Sequence, residues 1–142
     1  MGRLRILEGW LLARLNHSRE HHSAVALALA TLASPRSPRT RELAREAGLS
    51  EKRFIDVFRF EVGLKPKLFN RIRRFQRVLA KVRPGATLDW AELAVEQGYF
   101  DQSHLIRDFV AFSGCTPTEY VCRLDDLRKR GLQAKFDHLP LT

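Results

Sequence analysis

Apolar residues recur along this chain every three or four positions, the spacing that places side chains on one face of an α-helix. Phe54, Phe58 and Val62 lie four residues apart, and residues 105–112 follow a matching pattern. The run AVALALATLA at 24–33 is apolar on every side, as in a buried helix. A further apolar stripe comprises Leu68, Ile72, Phe75, Leu79 and Val82. These patterns predict an all-α chain.

Two segments of the chain repeat each other. ELAREAG at 42–48 and ELAVEQG at 92–98 share five of seven residues at an offset of 50. Beyond their glycines the offset becomes 51, so that Gly63 corresponds to Gly114, and Pro66 corresponds to Pro117. The match stays in register too long for a chance heptapeptide. It indicates a structural repeat of about fifty residues, with one extra residue in the turn of the second copy.

Each copy carries the signals for helices joined by short turns. In the second copy, Asp89 and Glu92 have the spacing of a capping box at a helix start, and Gly98 can adopt the left-handed conformation that ends helices. Thr116 and Pro117 then fit the start of another helix. Two helices joined by a short turn that contains glycine are typical of the helix-turn-helix unit.

We therefore expect an all-α fold of about seven helices, with two helix-turn-helix subdomains joined by a long connecting helix and an extra N-terminal helix. The N-terminal helix is predicted from LRILEGWLLARL at 4–15; it would connect to another domain, contact a second copy, or pack on this domain's own core. The expected divisions are an N-terminal connector helix at 1–23, a first subdomain at 24–83 with its linker helix at 66–82, a second subdomain at 84–130 and a tail at 131–142.

Basic residues outnumber acidic ones, with 25 Lys and Arg against 16 Asp and Glu, a net charge of +9 and a pI near 10.4. The excess is concentrated: residues 39–83 carry 14 basic and 5 acidic side chains, whereas residues 84–125 carry 2 and 7. Such a surplus favours a polyanionic partner, nucleic acid or an anionic membrane surface, although solubility alone would also explain it. No stretch approaches the roughly 20 apolar residues of a membrane span. No secretory signal opens the chain, so we expect a cytoplasmic protein without a membrane partner.

The motifs resemble a known family. ELAREAGLS with FRFEVGLKP is similar to the first helix-turn-helix unit of AraC/XylS-type bacterial transcriptional regulators, and GYFDQSHLIRDFVAFSGCTPTEY is similar to the signature of their second unit. The resemblance extends from residue 24 to about 123. It implies a seven-helix domain that binds double-stranded promoter DNA sequence-specifically, usually as an activator. In full-length relatives an effector-sensing or oligomerising domain generally precedes this domain.

The helix of residues 51–62 is expected to present its polar face to DNA, and the resemblance assigns the same positions to the major groove. Lys52 can donate to guanine, Ile55 can pack on a thymine methyl group, and Asp56 can accept from cytosine N4. Arg59 suits a phosphate contact, and Arg53 lies in the same first turn as Lys52. The alternative is an ordinary solvated helix face.

The second copy and the connecting helix supply the remaining candidates. On the helix that follows residue 101 they are Gln102, Ser103, His104, Ile106 and Arg107, and on the connecting helix they are Arg73, Arg74 and Arg77. The charge distribution predicts that the first copy and the connecting helix give most of the affinity. The acidic second copy would then position, discriminate, or contact a partner such as RNA polymerase. On this view Arg74→Ala reduces the salt dependence of binding more than Arg107→Ala does.

Other chemistry is weakly indicated. His17, His21 and His22 have helical spacing that could bind a metal, but without a nearby carboxylate or cysteine a solvated cluster is favoured. Cys115 and Cys122 lack a metal-binding spacing, and we expect two buried, reduced thiols. No catalytic triad order or phosphate-binding Gly loop is present. The sequence thus predicts no cofactor, no metal and no enzyme; the alternatives to a sequence-specific regulator are an architectural DNA-binding protein and a protein-interaction adaptor.

Overall fold

Seven α-helices and no strand form the residues that the computed structural model describes, namely 22–32, 34–35, 37–85 and 87–131. The helices are α1 (Ser23–Leu32), α2 (Thr40–Glu46), α3 (Glu51–Val62), α4 (Pro66–Lys81), α5 (Trp90–Glu96), α6 (Gln102–Ser113) and α7 (Pro117–Lys129). The all-α prediction is confirmed. The predicted N-terminal helix at 4–15 and the tail beyond Gly131 lie outside the described residues.

The first helix-turn-helix unit is built from α1, α2 and α3 around one apolar core. Phe54 and Phe58 of α3 are fully buried, as their spacing predicts, and Leu43 of α2 is buried against them. The apolar run at 24–33 forms α1, whose Val25 and Ala28 are inaccessible to solvent. This helix covers the face of α3 that the pattern of large apolar residues defines, because burying those rings is the main favourable contribution to folding.

The second unit has its own core between α5, α6, α7 and the C-terminal half of α4. Leu105 and Phe109 of α6 are each 1% exposed. Rings from neighbouring helices surround Phe109, with centroids 5.2 Å from Phe75, 5.5 Å from Tyr120 and 6.5 Å from Trp90. The three pairs are edge-on, an arrangement that the quadrupoles of aromatic rings favour.

The connecting helix α4 joins the two cores. Proline at its first position, Pro66, fits the start of the helix, and the Arg83-Pro84-Gly85 segment follows its end. Its 16 residues extend about 24 Å. The apolar stripe was predicted to contain Leu68, but this residue is 37% exposed, and Phe69 instead packs edge-on against Phe58 of the first core. The start of α4 therefore packs against the first unit, and a different face of its later turns packs against the second unit.

The two copies end and start their helices in the same way, which confirms the repeat. Ser50 caps α3 and Asp101 caps α6, each accepting a hydrogen bond from a backbone N–H in the first turn. Gly63 and Gly114 end the same helices in the left-handed conformation. The extra residue of the second turn is Phe100, which is 89% exposed.

Two other local predictions have mixed outcomes. Asp89 caps α5 by accepting from the backbone of Ala91 and Glu92, but the reciprocal bond, from the Asp89 N–H to the Glu92 carboxylate, is not formed among the described residues. Cys115 is buried, whereas Cys122 is exposed, so the prediction of two buried thiols is wrong for Cys122. The buried positions of α7 are Pro117 and Leu124, seven residues apart, and Cys122 lies on the other side of that helix.

The glycines at the two equivalent turns differ in their surroundings, and this predicts different responses to substitution. Gly48 has a φ of +68° and open space where a Cβ would lie. At Gly98 the φ is +81°, and a Cβ would lie 2.3 Å from the carbonyl oxygen of Pro35. We expect Gly48→Ala to cost about 1 kcal/mol of unfolding free energy from the backbone alone. Gly98→Ala should cost roughly 2–3 kcal/mol, because the loop must also move. Urea denaturation of both variants measures this difference, and equal losses would contradict the close approach of Pro35.

Candidate nucleic-acid interface

The outer face of α3 carries the first set of predicted residues. Lys52, Arg53, Asp56 and Arg59 are all exposed, and Ile55 is half-buried. The Ser50 cap fixes the first turn, so that Lys52 and Arg53 project from a rigid helix start. This face presents three cations, one carboxylate and one apolar side chain along its three turns. Such a surface can contact base edges and phosphates together.

The outer face of α6 carries the second set, whose members from Ser103 to Arg107 lie at the repeat positions of residues 52–56 in α3. Gln102, Ser103 and Arg107 are exposed, whereas His104 and Ile106 are half-buried. His104 is held by an edge-on ring contact to Tyr99 at 5.2 Å. The Nε of Arg107 donates to the backbone oxygen of Ser103 at 3.3 Å. Ile106 occupies the position of Ile55, and Arg107 that of Asp56, so the two faces share an isoleucine and differ in charge.

The arginines of α4 contact the second unit. Arg71 donates from Nε and Nη2 to Oδ1 of Asp108, at 3.0 Å and 2.7 Å. Arg74 donates to the carbonyl oxygen of Gly98 at 3.0 Å, and only 15% of its side chain is exposed. Arg77 donates to the carbonyl oxygen of Gln97 at 3.3 Å.

These contacts of the α4 arginines within the protein were not predicted from the sequence. The polar face of α4 was expected to point toward DNA through Arg73, Arg74 and Arg77. The structure shows Arg74 and Arg77 bonded to backbone oxygens of the turn before α6, while Arg73 is half-buried. DNA contact by these three residues stays a prediction. Because a backbone oxygen holds each of the guanidinium groups of Arg74 and Arg77 against the protein, Arg73 is the best candidate of the three.

The acidic residues of the second unit are largely used within the fold. Asp89, Asp101 and Glu119 accept hydrogen bonds from backbone N–H groups at the starts of α5, α6 and α7. Asp125 accepts from the backbone N–H of Gly85, and Glu96 pairs with Lys81 at 3.6 Å. Much of the charge asymmetry between the two segments therefore reflects helix capping and the pairing of α4 with the second unit. It does not by itself show that the second unit repels DNA.

Burial at this contact shifts several pKa values. Desolvation raises the pKa of Tyr99 to about 12, so its phenol remains neutral under the guanidinium of Arg74, which lies 4.7 Å from the ring centre. The hydrogen bond to Asp108 raises the pKa of Arg71. Burial, followed by the nearby charges of Arg73 and Arg74, lowers the pKa of Arg77. Arginine stays charged at any physiological pH, so the arginines of α4 keep their positive charges where they contact the second unit.

Sequence reasoning missed two groups of residues. Asp108 is 3% exposed and lies three residues after Leu105, on the buried stripe of α6. A carboxylate at a core position needs a charged partner. The position of Asp108 on the apolar stripe of α6 was therefore the sign in the sequence that this residue has one. The second group is at α2, where Arg41 and Arg45 of the helix and Arg39 just before it line an open cleft of about 600 Å³ with Glu51 at the start of α3. In helix-turn-helix proteins the first helix of the unit crosses the phosphate backbone, which was the signal for these arginines.

Within the part of the chain that the structure describes, no group of His, Cys, Asp and Glu has the arrangement of a metal site. His17 and His21 lie outside this part. None of the described helices combines the length and apolar character that crossing a bilayer requires.

Comparison with known proteins supports the assignment of the fold. A family profile described as a helix-turn-helix domain matches residues 43–123, more than half of the chain. Similar solved structures include the DNA-binding domain of the global transcriptional factor AdpA in complex with a target DNA, at 23% identity and a TM-score of 0.60, covering 76% of this chain and 92% of that one. A comparison with curated proteins found no match.

Two further structures have the same fold. An AraC-type transcriptional regulator from Chromobacterium violaceum is 18% identical, with a TM-score of 0.57 and coverage of 70% of this chain and 87% of that one. A DNA-binding transcriptional dual regulator from Escherichia coli K-12 is 25% identical, with a TM-score of 0.56 and coverage of 72% and 89%. The profile match, the repeated helix-turn-helix units and these neighbours lead to one conclusion: the chain belongs to the AraC-type family of helix-turn-helix DNA-binding domains.

Proposed function

We propose that this protein binds double-stranded DNA sequence-specifically, placing α3 and α6 in adjacent segments of the major groove, and regulates transcription as an activator. The observation that carries the proposal is the pair of like-built helices α3 and α6. Each starts at a fixed cap and presents an outer face with cationic, polar and isoleucine side chains. Base edges in the major groove are read by side chains of these kinds. The AdpA domain, which has this fold, is described in complex with its target DNA.

The residues proposed to contact DNA have separate roles. Lys52, Ile55 and Asp56 of α3 and Gln102, Ser103, His104 and Ile106 of α6 read bases, while Arg53, Arg59, Arg73 and Arg107 contact phosphates or the adjacent base edges. Arg41 and Arg45 of α2 add phosphate contacts beside the start of α3. RNA polymerase and an upstream effector or oligomerisation domain are proposed partners on the family resemblance alone.

The experiment that tests this proposal is selection of bound duplexes from a random pool at near-physiological salt. We expect two short boxes whose centres lie about one helical turn, roughly 34 Å, apart. Enrichment of no motif, with equal affinity for a random duplex, would favour an architectural DNA-binding protein. Absence of binding even at about 50 mM salt, where phosphate contacts are still strong, would favour a protein-interaction adaptor.

Salt dependence separates residues that contact phosphate from residues that hold the fold. Each neutralised phosphate contributes about −0.9 to the slope of log K against log salt concentration. The contacts of Arg74 inside the protein reverse the expectation drawn from charge alone. Arg107→Ala should reduce the magnitude of the slope by about one, whereas Arg74→Ala should leave it unchanged. Fluorescence anisotropy titrations at several salt concentrations measure both slopes, and a larger change for Arg74→Ala would restore a direct role for α4 in binding phosphate.

A further inference from the structure

Asp108 is a buried carboxylate on a proposed recognition helix, and DNA reading does not use it. It is 3% exposed, on the side of α6 that faces α4. The equivalent position in the first unit is Val57, a half-buried residue packed against an apolar core. At this position the second copy thus has a carboxylate where the first has an apolar side chain. A carboxylate is costly to bury, so its place in the core calls for a specific partner.

The partners of Asp108 come from the connecting helix. Arg71 bonds Oδ1 through Nε and Nη2, and Nη2 of Arg74 lies 3.7 Å from Oδ2. The first contact has the geometry of a charge-assisted hydrogen bond, and the second is a charge interaction at longer range. Turning α6 away from α4 would leave the carboxylate and Arg74 buried without their opposite charges, which is strongly unfavourable.

The turn before α6 is held by the same helix at a second point. Arg74 Nη1 bonds the carbonyl oxygen of Gly98 at 3.0 Å, and Arg77 Nη2 bonds that of Gln97 at 3.3 Å. The helix α6 is therefore fixed both at the turn that leads into it and in its middle, at Asp108. Two separated points on one side of a helix fix the direction of its axis.

The connecting helix is also tied to the first unit. Asn70 of α4 donates from Nδ2 to Oγ of Ser37, in the loop between α1 and α2, at 2.7 Å. Pro35 of that loop approaches Gly98 so closely that a Cβ there would meet its carbonyl oxygen. A chain of polar and steric contacts thus passes from the first unit through α4 to the start of α6.

We infer that Asp108, Arg71 and Arg74 are positioning residues that lock α6 to the connecting helix, and that this lock makes DNA binding selective for the distance between two half-sites. The inference rests on the proposed function, and it adds a property that base contacts alone do not give. Inserting one base pair between two boxes turns the second box by about 35° and moves it by about 3.4 Å. A protein whose reading helices are locked must bend or twist the duplex to meet both boxes, and that deformation has a sequence-dependent energy.

The test compares duplexes that carry the selected two-box site with duplexes in which one base pair is added or removed between the boxes. It uses the full 142-residue chain. The wild-type protein should bind the altered spacings about 30-fold more weakly. Asp108→Asn should reduce this penalty to about 3-fold, with unchanged affinity for a duplex that contains the first box only. Arg71→Ala, which leaves Arg74 beside Asp108, should give an intermediate penalty.

Glu96→Gln is the matched control. It removes the Lys81–Glu96 pair, which also joins α4 to the second unit but is exposed on both sides, so the wild-type spacing penalty should remain. Circular dichroism at the assay temperature shows whether each variant is folded; if Asp108→Asn is not, Arg71→Ala decides the outcome. Wild-type penalties in both folded variants would overturn the lock. A wild-type protein that binds one box as tightly as two would instead contradict the proposed two-box function.

Discussion

Replacement of Asp108 by asparagine is expected to lower the free energy of unfolding by about 3 kcal/mol. The carboxylate is buried and meets Arg71 at 2.7 Å and Arg74 at 3.7 Å. Asparagine has nearly the same shape, so the substitution leaves no cavity; it removes the negative charge and replaces one acceptor oxygen by an NH2 group. Arg74, which is mostly buried, then has no counter-charge, and breaking one side of a buried ion pair typically costs 3–5 kcal/mol. Since small domains have about 5–15 kcal/mol of total stability, this loss would be a large fraction of it.

Urea denaturation followed by circular dichroism measures this effect, with Asp126→Asn as the control. Asp126 is exposed on α7, so the same chemical change there should alter stability by less than about 0.5 kcal/mol. Similar small changes in both variants would mean that the pair with the arginines contributes little. A second comparison uses salt. At 1 M salt the Debye length is about 3 Å, so ion pairs between exposed charges are screened, whereas the buried Asp108 pair should still contribute to the free energy of unfolding.

Replacement of Lys52 by glutamate is expected to weaken binding to the selected DNA site about 100-fold. Lys52 is exposed in the first turn of α3, the part of a recognition helix that lies nearest the bases. The substitution removes a donor and places a carboxylate beside the acceptor atoms of guanine and the neighbouring phosphates. A lost specific contact costs about 1–3 kcal/mol, and the added repulsion places the effect at the upper end.

Lys129→Glu separates this local effect from the change in net charge. Lys129 is exposed in the last turn of α7, outside the proposed interface, and the substitution changes the net charge by the same amount. We expect a loss of only a few-fold there, from long-range electrostatics. Anisotropy titrations of both variants on the selected duplex and on a random duplex give the comparison. If both lose affinity equally on both duplexes, Lys52 acts through general charge and not through base contact.

The candidate site could be predicted in part from the sequence. The exposed positions of α3 and α6 follow from the stripe of large apolar residues on each helix, because a helical face opposite Phe54 and Phe58, or opposite Leu105 and Phe109, must point outward. The arginines of α4 could not be placed in this way. The spacing of apolar residues shows which side chains lie outside the apolar stripe. It does not show whether such a polar face is exposed to solvent or packs against another polar surface of the protein.

The contacts that cover α4 join residues far apart in the sequence. Arg71 meets Asp108 at a separation of 37 residues, and Arg74 meets Gly98 at a separation of 24. No local rule connects such positions. A buried carboxylate can be recognised on the stripe of α6, but several arginines are candidates to neutralise it, and only the packing of two helices selects among them.

The repeat, the helix boundaries and the family were determined by the sequence itself, because caps, left-handed glycines and apolar spacing act within a few residues. Ser50, Gly63, Asp101 and Gly114 show this in both units. The tertiary structure alone decided which charges face inward. It placed Arg71, Arg74 and Arg77 of the connecting helix in contact with α6 and the turn before it. The physical reason is that a guanidinium can donate to a phosphate or to an oxygen inside the protein, and the way the helices pack sets which of these partners is nearer.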